Sequence, residues 1–451
     1  MTKFNYLKLY LEKRMMRIFL LGIISGFPWV LIGSALSLWL KENELSRSTI
    51  GWAGLIFGVY AINFLWAPLV DRLQIPFLSK KFGHRKSWIL LMQIIIFCSL
   101  LFWGFLDPSR NLWLVIFTGL VIAISSATQD ITIDALRIEQ VGVNEGRAMA
   151  AGAAMSVVGW WTGYKIGGLV ALLSADFFQQ QGFYNYWQLS FLTLTIIIII
   201  CNIGLLSIPE NNSTERQVLQ QIADNKILNK LGSKNRLTRI FTYISGTIIN
   251  PIISFFQKNT FKVALGILGF IFLFKIGEAF LGRMSIIFYK EIGFSKTDIA
   301  FYSKGIGWIT TITFTLLGGL FAIRMGLLKA MFLSGMLMAL TNLMFSVLAW
   351  VGSSEILFAF TVLLDDLAAA FATVAFVGFI SALVDRTYTA TQYALLASIG
   401  TAGRTLFASS SGALVDWLNG DWGVFFIITA LMVIPSLVCL FLIRKKLNLN
   451  E

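Results

Sequence analysis

Charge is scarce in this chain: 13% of its 451 residues are Asp, Glu, Lys or Arg, against about 25% in an ordinary soluble domain. Histidine occurs once, at His84 in a basic stretch, which excludes His-based triads and multi-histidine metal sites. The three cysteines, Cys98, Cys201 and Cys439, fall inside apolar runs, so no disulfide framework is expected. No metal-ligand constellation or cofactor motif is visible, and neither a metal nor a cofactor is expected. What is abundant is apolar: 57% of residues are hydrophobic and the mean hydropathy is +0.76. The fold class expected is an all-α polytopic membrane protein.

Apolar runs long enough to cross about 30 Å of hydrocarbon begin near Arg17, Thr49, Ser87, Leu112, Arg147 and Gln188, and again near Phe261, Asp298, Ala330, Glu355, Gln392 and Gly423. That predicts about twelve transmembrane helices: a six-helix bundle over 1–208, a linker over 209–260, and a second six-helix bundle over 261–451. The first run has no small-residue cleavage site and is read as a retained span. With the N-terminus inside, about 26 of the 36 cations fall in cytoplasmic segments, so both termini are expected in the cytoplasm. The net charge of +13 is then explained by this bias and by attraction to anionic lipid, without nucleic acid. In the polar linker, residues 241–257 are apolar but carry Pro251. They are read as an interfacial helix, a short extra span being the alternative.

The two bundles echo each other. "SLWLKENELSRSTIG" (37–51) and "IIFYKEIGFSKTDIA" (286–300) align Lys41 with Lys290, Glu42 with Glu291, Ser46 with Ser295 and Ile50 with Ile299. "GLVALLSAD" and "GALVDWLNGD" repeat after the fifth span of each half. Parallel repeats of six helices with a central site resemble the major facilitator architecture. The loop "DRLQIPFLSKKFGHRK", with Asp71, Arg72, Gly83, Arg85 and Lys86, resembles that superfamily's signature loop, which latches helix ends during rocking.

Charges within spans cost about 2.5–3.5 kcal/mol each at a helix centre, so they are expected to face the bundle. On the fourth helix Ser126, Asp130, Asp134 and Arg137 form one stripe. Asp130, with Gln129 beside it, is a candidate for the substrate or proton path; Asp134 either joins it or pairs with Arg72 or Arg85. On the fifth, Gly159, Gly163 and Gly167 make a close-packing face, and Trp161 with Lys165 either offers a platform and cation to a sugar acid or packs and snorkels. Lys275 and Glu278 on the seventh either neutralise one another or open as a coupling device. Asp365 and Asp366 on the tenth point about 100° apart. Arg404 on the eleventh either binds a substrate carboxylate or phosphate or pairs with an acid from another helix.

The segments "GIISGFPWVLIGSALSLWL", "FLWAPLVDR", "SSATQDITIDA", "LFKIGEAF" and "ATQYALLASIGTAGR" together resemble the AmpG muropeptide permeases, cousins of acetyl-CoA transporters. The resemblance implies an inner-membrane permease, not an enzyme, that imports anhydromuropeptides in cell-wall recycling by proton symport. The proton gradient is its energy source, and a monomer in the bilayer is expected. It carries Gln129, Asp130, Lys275, Glu278 and Arg404 over as the family's polar positions, and Gln392 lies in the matching eleventh-helix segment. The chain departs from the family at Gly159-Trp160-Trp161, where relatives tend to have Gly-aromatic-Arg. Rival readings are a carrier of another anionic solute, such as an acyl-CoA-like molecule, and a non-transporting assembly or sensor protein on the same scaffold.

Overall fold

The computed structural model describes residues 4–45, 53–142, 145–210, 218, 220–222, 225, 249–294, 307–408 and 410–447. The described residues form twelve long helical elements: α1 (Lys13–Glu42), α2 (54–72), α3 (His84–Trp103), α4 (Pro108–Glu139), α5 (Gly146–Gln180), α6 (Tyr186–Leu206), α7 (261–291), α8 (Gly307–Met325), α9 (Leu327–Val351), α10 (Glu355–Leu383), α11 (Thr389–Ala408 with Ser411–Trp417) and α12 (Trp422–Ile443). Eight of them are long and apolar enough to cross a membrane by those criteria alone, and α2 and α8 supply the shorter apolar helices Ile56–Leu65 and Thr310–Met325. Wherever a predicted start is described, the helix begins within a turn of it. The expected starts at Thr49 and Asp298, and Ser46, Ile50, Ser295 and Ile299 of the repeat, lie outside the described residues.

Of the doubtful 241–257 segment, residues 249–258 are helical. That helix is tied by polar bonds to the end of α10 and the start of α11. Ser254 donates to Asp385 (2.7 Å), Lys258 to the Leu383 carbonyl (3.3 Å), and Gln392 to the Pro251 carbonyl (2.8 Å).

Several helices are interrupted, and each interruption has a local cause. In α1, Pro28 has no amide to give, so the carbonyl four residues back, that of Ile24, loses its helical donor. A π-helical turn over Leu31–Ala35 follows. Gln129 of α4 donates to that freed carbonyl at 2.8 Å, as a membrane interior requires of any exposed backbone group. In α12, Pro435 falls in the first turn of its second segment, Ile434–Ile443. In α7 the helix breaks at Lys275, whose backbone (φ −105°, ψ 14°) separates Phe261–Leu273 from Ile276–Glu291.

Glycine brings α1 and α5 together at backbone distance. A Cβ on Gly26 would overlap the Trp160 carbonyl, one on Gly159 the Phe19 carbonyl, and one on Gly163 the Ile23 carbonyl. The glycine face read from the sequence is therefore the α1 contact. The repeat is visible at corresponding ends of the two halves, away from the basic connections. Glu42 at the end of α1 accepts from the Trp187 indole (2.5 Å) and the Tyr186 hydroxyl (2.9 Å) of α6. Glu291 at the end of α7 accepts from the Trp422 indole of α12 (2.7 Å).

The apolar cores show where the halves meet. One cluster runs from Met15, Ile18 and Ala150–Met155 of the first half to Phe270, Ala372 and Ile380 of the second. It lies toward the end that carries the basic connections and is called here the basic end. At the other end each half has its own cluster, around Trp39, Trp103 and Phe191 in the first and around Phe288, Phe345 and Phe426 in the second.

Overpacking at the α1–α5 contact is expected to cost about 1–3 kcal/mol. Gly163→Ala should thus lower the midpoint of heat-induced loss of folded protein in detergent. Gly168→Ala, whose Cβ would meet nothing within 4 Å, should keep or raise it.

Candidate substrate and proton site

The polar interior divides between the halves. In the first, Asp130 accepts from the Ser25 hydroxyl at 2.7 Å and faces the Trp29 indole nitrogen at 3.4 Å, both on α1 and four residues apart. Trp29 heads an aromatic cluster, with ring centroids 4.4 Å from Tyr60, 5.2 Å from Phe57 and 5.6 Å from Trp160. Trp160 in turn stacks on Tyr164 at 5.6 Å. Trp161 stands edge-on to Trp160 at 5.1 Å, so the tryptophan that meets Trp29 is Trp160, the one the sequence reading did not single out. Lys165 is exposed.

Gln129 parts company with its neighbour. It is fully buried, donates to the Ile24 carbonyl and accepts from Gln93 of α3. Both ends of its amide are committed to joining α1, α3 and α4. The polar pair read as one unit thus splits: Gln129 ties three helices, while Asp130 faces Ser25 and Trp29.

In the second half, Lys275 sits at the α7 break with its ammonium 3.1 Å from Glu278 and donates to Thr373 of α10 at 2.8 Å. The expected Lys275–Glu278 pairing is present. Asp365 accepts from Thr341 of α9 at 3.0 Å and lies close enough for its charge to act on Glu278 and Lys275. Asp366, next on α10, points about 100° away. Arg404 is exposed, 3.5 Å from its own Thr401, and near enough to act on Lys275. No carboxylate bridges it among the described residues. This half presents one buried cation, Lys275, and one exposed, Arg404, a setting suited to a carboxylate or phosphate.

At the basic end the halves are bolted together. Asp71 accepts from Arg85 (2.7 Å), from the Thr391 amide (2.8 Å) and hydroxyl, and from the Ala390 amide (3.3 Å). A carboxylate of the first half thus serves the opening turn of α11 in the second, where helix amides lack internal acceptors. Arg85 is fully buried and reaches Glu139 at 3.0 Å as well. Gly83 (φ +96°) starts α3 in a backbone region that only glycine enters freely. A Cβ there would press on Glu210, whose carboxylate accepts from the Arg85 (2.8 Å) and Lys86 (3.1 Å) amides.

Asp134 pairs with neither Arg72 nor Arg85; its partner is Arg137, one turn on at 3.0 Å. Arg137 also donates to Ser381 of α10 and lies 5.4 Å from the Tyr393 ring. Arg386 donates to the carbonyls of Ile138 and Val141. Gln392, by accepting from the Asp385 amide and donating to the Pro251 carbonyl, fixes the α10–α11 corner. Ser25, Trp29, Tyr60, Thr341, Thr373 and Thr391 went unmarked in the sequence. Their one signal was polarity at a four-residue step (Ser25, Trp29) within an apolar run.

A profile described as the Major Facilitator Superfamily matches residues 18–303. The chain belongs to the major facilitator superfamily. Within it the chain is of AmpG type. It is 32% identical to AmpG 4 of Rickettsia felis over 98% of this chain and 99% of that one. It is 29% identical to the Anhydromuropeptide permease of Escherichia coli K12 over 98% of this chain and 82% of that one. Among solved structures, the proton:xylose symporter XylE superposes with a TM-score of 0.63 at 14% identity, covering 94% of each chain. The human organic anion transporter MFSD10 gives 0.56 at 14%, covering 94% of this chain and 98% of that one. The facilitator is therefore a multi-pass membrane transporter rather than an enzyme.

Hydrogen bonds to a charged group contribute about 1.5–3 kcal/mol each. Asp71→Asn leaves Arg85 its Glu139 partner but weakens the bolt to α11. A cysteine at buried Thr389 should then react with a water-soluble maleimide about tenfold faster in the Asp71→Asn background. An unchanged rate would show that Asp71 does not hold the halves together.

Proposed function

We propose that this facilitator imports anhydromuropeptides, GlcNAc-anhydroMurNAc-peptides, from periplasm to cytoplasm for cell-wall recycling, by proton symport with alternating access. It works in the inner membrane of a bacterium, with both termini and the basic end in the cytoplasm. The moving bodies are residues 1–208 and 261–451, joined by the linker 209–260, and no cofactor is needed beyond the proton gradient. The observation that carries this reading is the division of the interior: an aromatic cluster with one carboxylate, Asp130, in the first half, and Lys275, Glu278, Asp365 and Arg404 in the second.

That division matches a solute with sugars at one end and peptide carboxylates at the other. Sugar faces stack on Trp29, Trp160 and Tyr60; carboxylates meet Arg404 and Lys275. The bolt at Asp71, Arg137 and Arg386 and the apolar cluster joining the halves at the same end support a conformer closed to the cytoplasm. Uptake then requires the bolt to release once solute and proton are aboard. Asp130 is the proposed proton carrier, because it sits half-buried in the interior with no cation partner among the described residues, whereas Glu278 already has Lys275. Asp134, Trp161, Lys165, Asp366, Gln129 and Gln392 take secondary parts, the last two as structural ties.

The deciding experiment is uptake of labelled GlcNAc-anhydroMurNAc-tripeptide into vesicles holding the protein, with and without an inward proton gradient. Accumulation should follow the gradient and collapse with an uncoupler. Asp130→Asn should abolish accumulation while keeping solute exchange across equal concentrations; accumulation at the wild-type level would refute its role. Trp160→Ala should raise the KM up to about tenfold, consistent with the roughly 0.5–1.5 kcal/mol of an aromatic contact. A rise equally large for a peptide lacking the sugars would overturn the division of the site.

Removing one member of the Lys275–Glu278 pair should cost more than removing both, since a lone buried charge carries a penalty of about 3–5 kcal/mol. Glu278→Gln, which leaves the buried Lys275 ammonium unpaired, should therefore lose more folded protein than the double variant Lys275→Met/Glu278→Gln, as read by the monodisperse yield in detergent.

A further inference from the structure

Away from the interior, α9 and α12 part at the basic end to leave a groove of about 320 Å³. Its walls are Phe332, Leu333, Leu440 and Phe441, and Lys329 and Arg444 stand on its rim. The Arg444 guanidinium lies 3.6 Å from the centre of the Phe441 ring, so its donors are held at the groove mouth against an aromatic wall. Lys329 is in the first turn of the 25-residue α9, whose N-cap is Gly326, a residue without a capping side chain; that end of the helix favours a negative charge. Both cations are exposed, and neither forms an ion pair with an acid among the described residues.

We infer that this groove is a binding site for an anionic phospholipid, its acyl chain along Phe332, Leu333 and Leu440 and its phosphate between Lys329 and Arg444. Charge complementarity selects this occupant. A solute without a chain leaves the apolar walls unused, and a zwitterionic lipid brings a cation to a rim that already holds two. Basic pockets between helices at the cytoplasmic face take such headgroups. The site is independent of the transported solute, and its occupant links α9 to α12 from outside.

The test is native mass spectrometry of the full chain in detergent, offered equal amounts of phosphatidylglycerol and phosphatidylethanolamine. The wild type should retain phosphatidylglycerol preferentially. Lys329→Gln and Arg444→Gln should each lower that retention by about fivefold. Leu333→Trp, which fills the groove and leaves the charge alone, should lower it too. Lys445→Gln/Lys446→Gln, at exposed cations outside the groove, should not. Equal retention of the two lipids, or the same retention in Lys329→Gln/Arg444→Gln as in the wild type, would overturn the site. So would displacement of the lipid by inorganic phosphate alone, which would leave an anion site without a lipid.

Discussion

A carbonyl that Pro28 leaves without a helical donor sets the geometry of the first half. In lipid the Ile24 oxygen cannot turn to water, and Gln129 meets it across 105 residues of sequence. That bond locks the register of α4 on α1. With register fixed, the next residue, Asp130, can land only on Ser25 and Trp29. The aromatic cluster follows, because Trp29 is anchored on one side by Asp130 and α5 is pressed onto α1 by the glycines that bring Trp160 alongside. A backbone need thus positions a carboxylate that has no cation of its own among the described residues.

The second half reaches a comparable polar centre by another route. Its seventh helix breaks at Lys275, and the side chain at the break is itself the charge, paired with Glu278 and steadied by Thr373. The two halves share their outer bracing, Glu42 with Trp187 and Glu291 with Trp422, while their centres differ. A repeat that keeps the frame and varies the middle suits a solute whose two ends differ chemically.

Helix number, the six-and-six division and the Glu42–Glu291 correspondence were legible in the sequence because hydropathy and charge are local signals. The Lys275–Glu278 pair was legible for the same reason, its members being three residues apart. What stayed hidden was tertiary. Gln129 and Asp130 are adjacent polar residues, and only the position of Ile24 across the bundle shows which of them ties α4 to α1. Trp160 and Trp161 likewise differ by one step of about 100°, and choosing between them needs the rotation of α5 that Gly159 and Gly163 impose. Asp134 was given remote partners when Arg137 stood one turn away, because Arg85 is already engaged by Asp71 and Glu139.

The apolar cluster that joins the halves has a thermodynamic consequence. Residues such as Met15, Ala150, Phe270 and Ile380 are shielded from solvent while the basic end is shut. Any motion that parts the halves there wets them, and wetting apolar surface raises heat capacity. The opening equilibrium must then curve with temperature instead of following a straight van't Hoff line. Temperature alone would then shift how far the halves part at this end, with no change in any ligand.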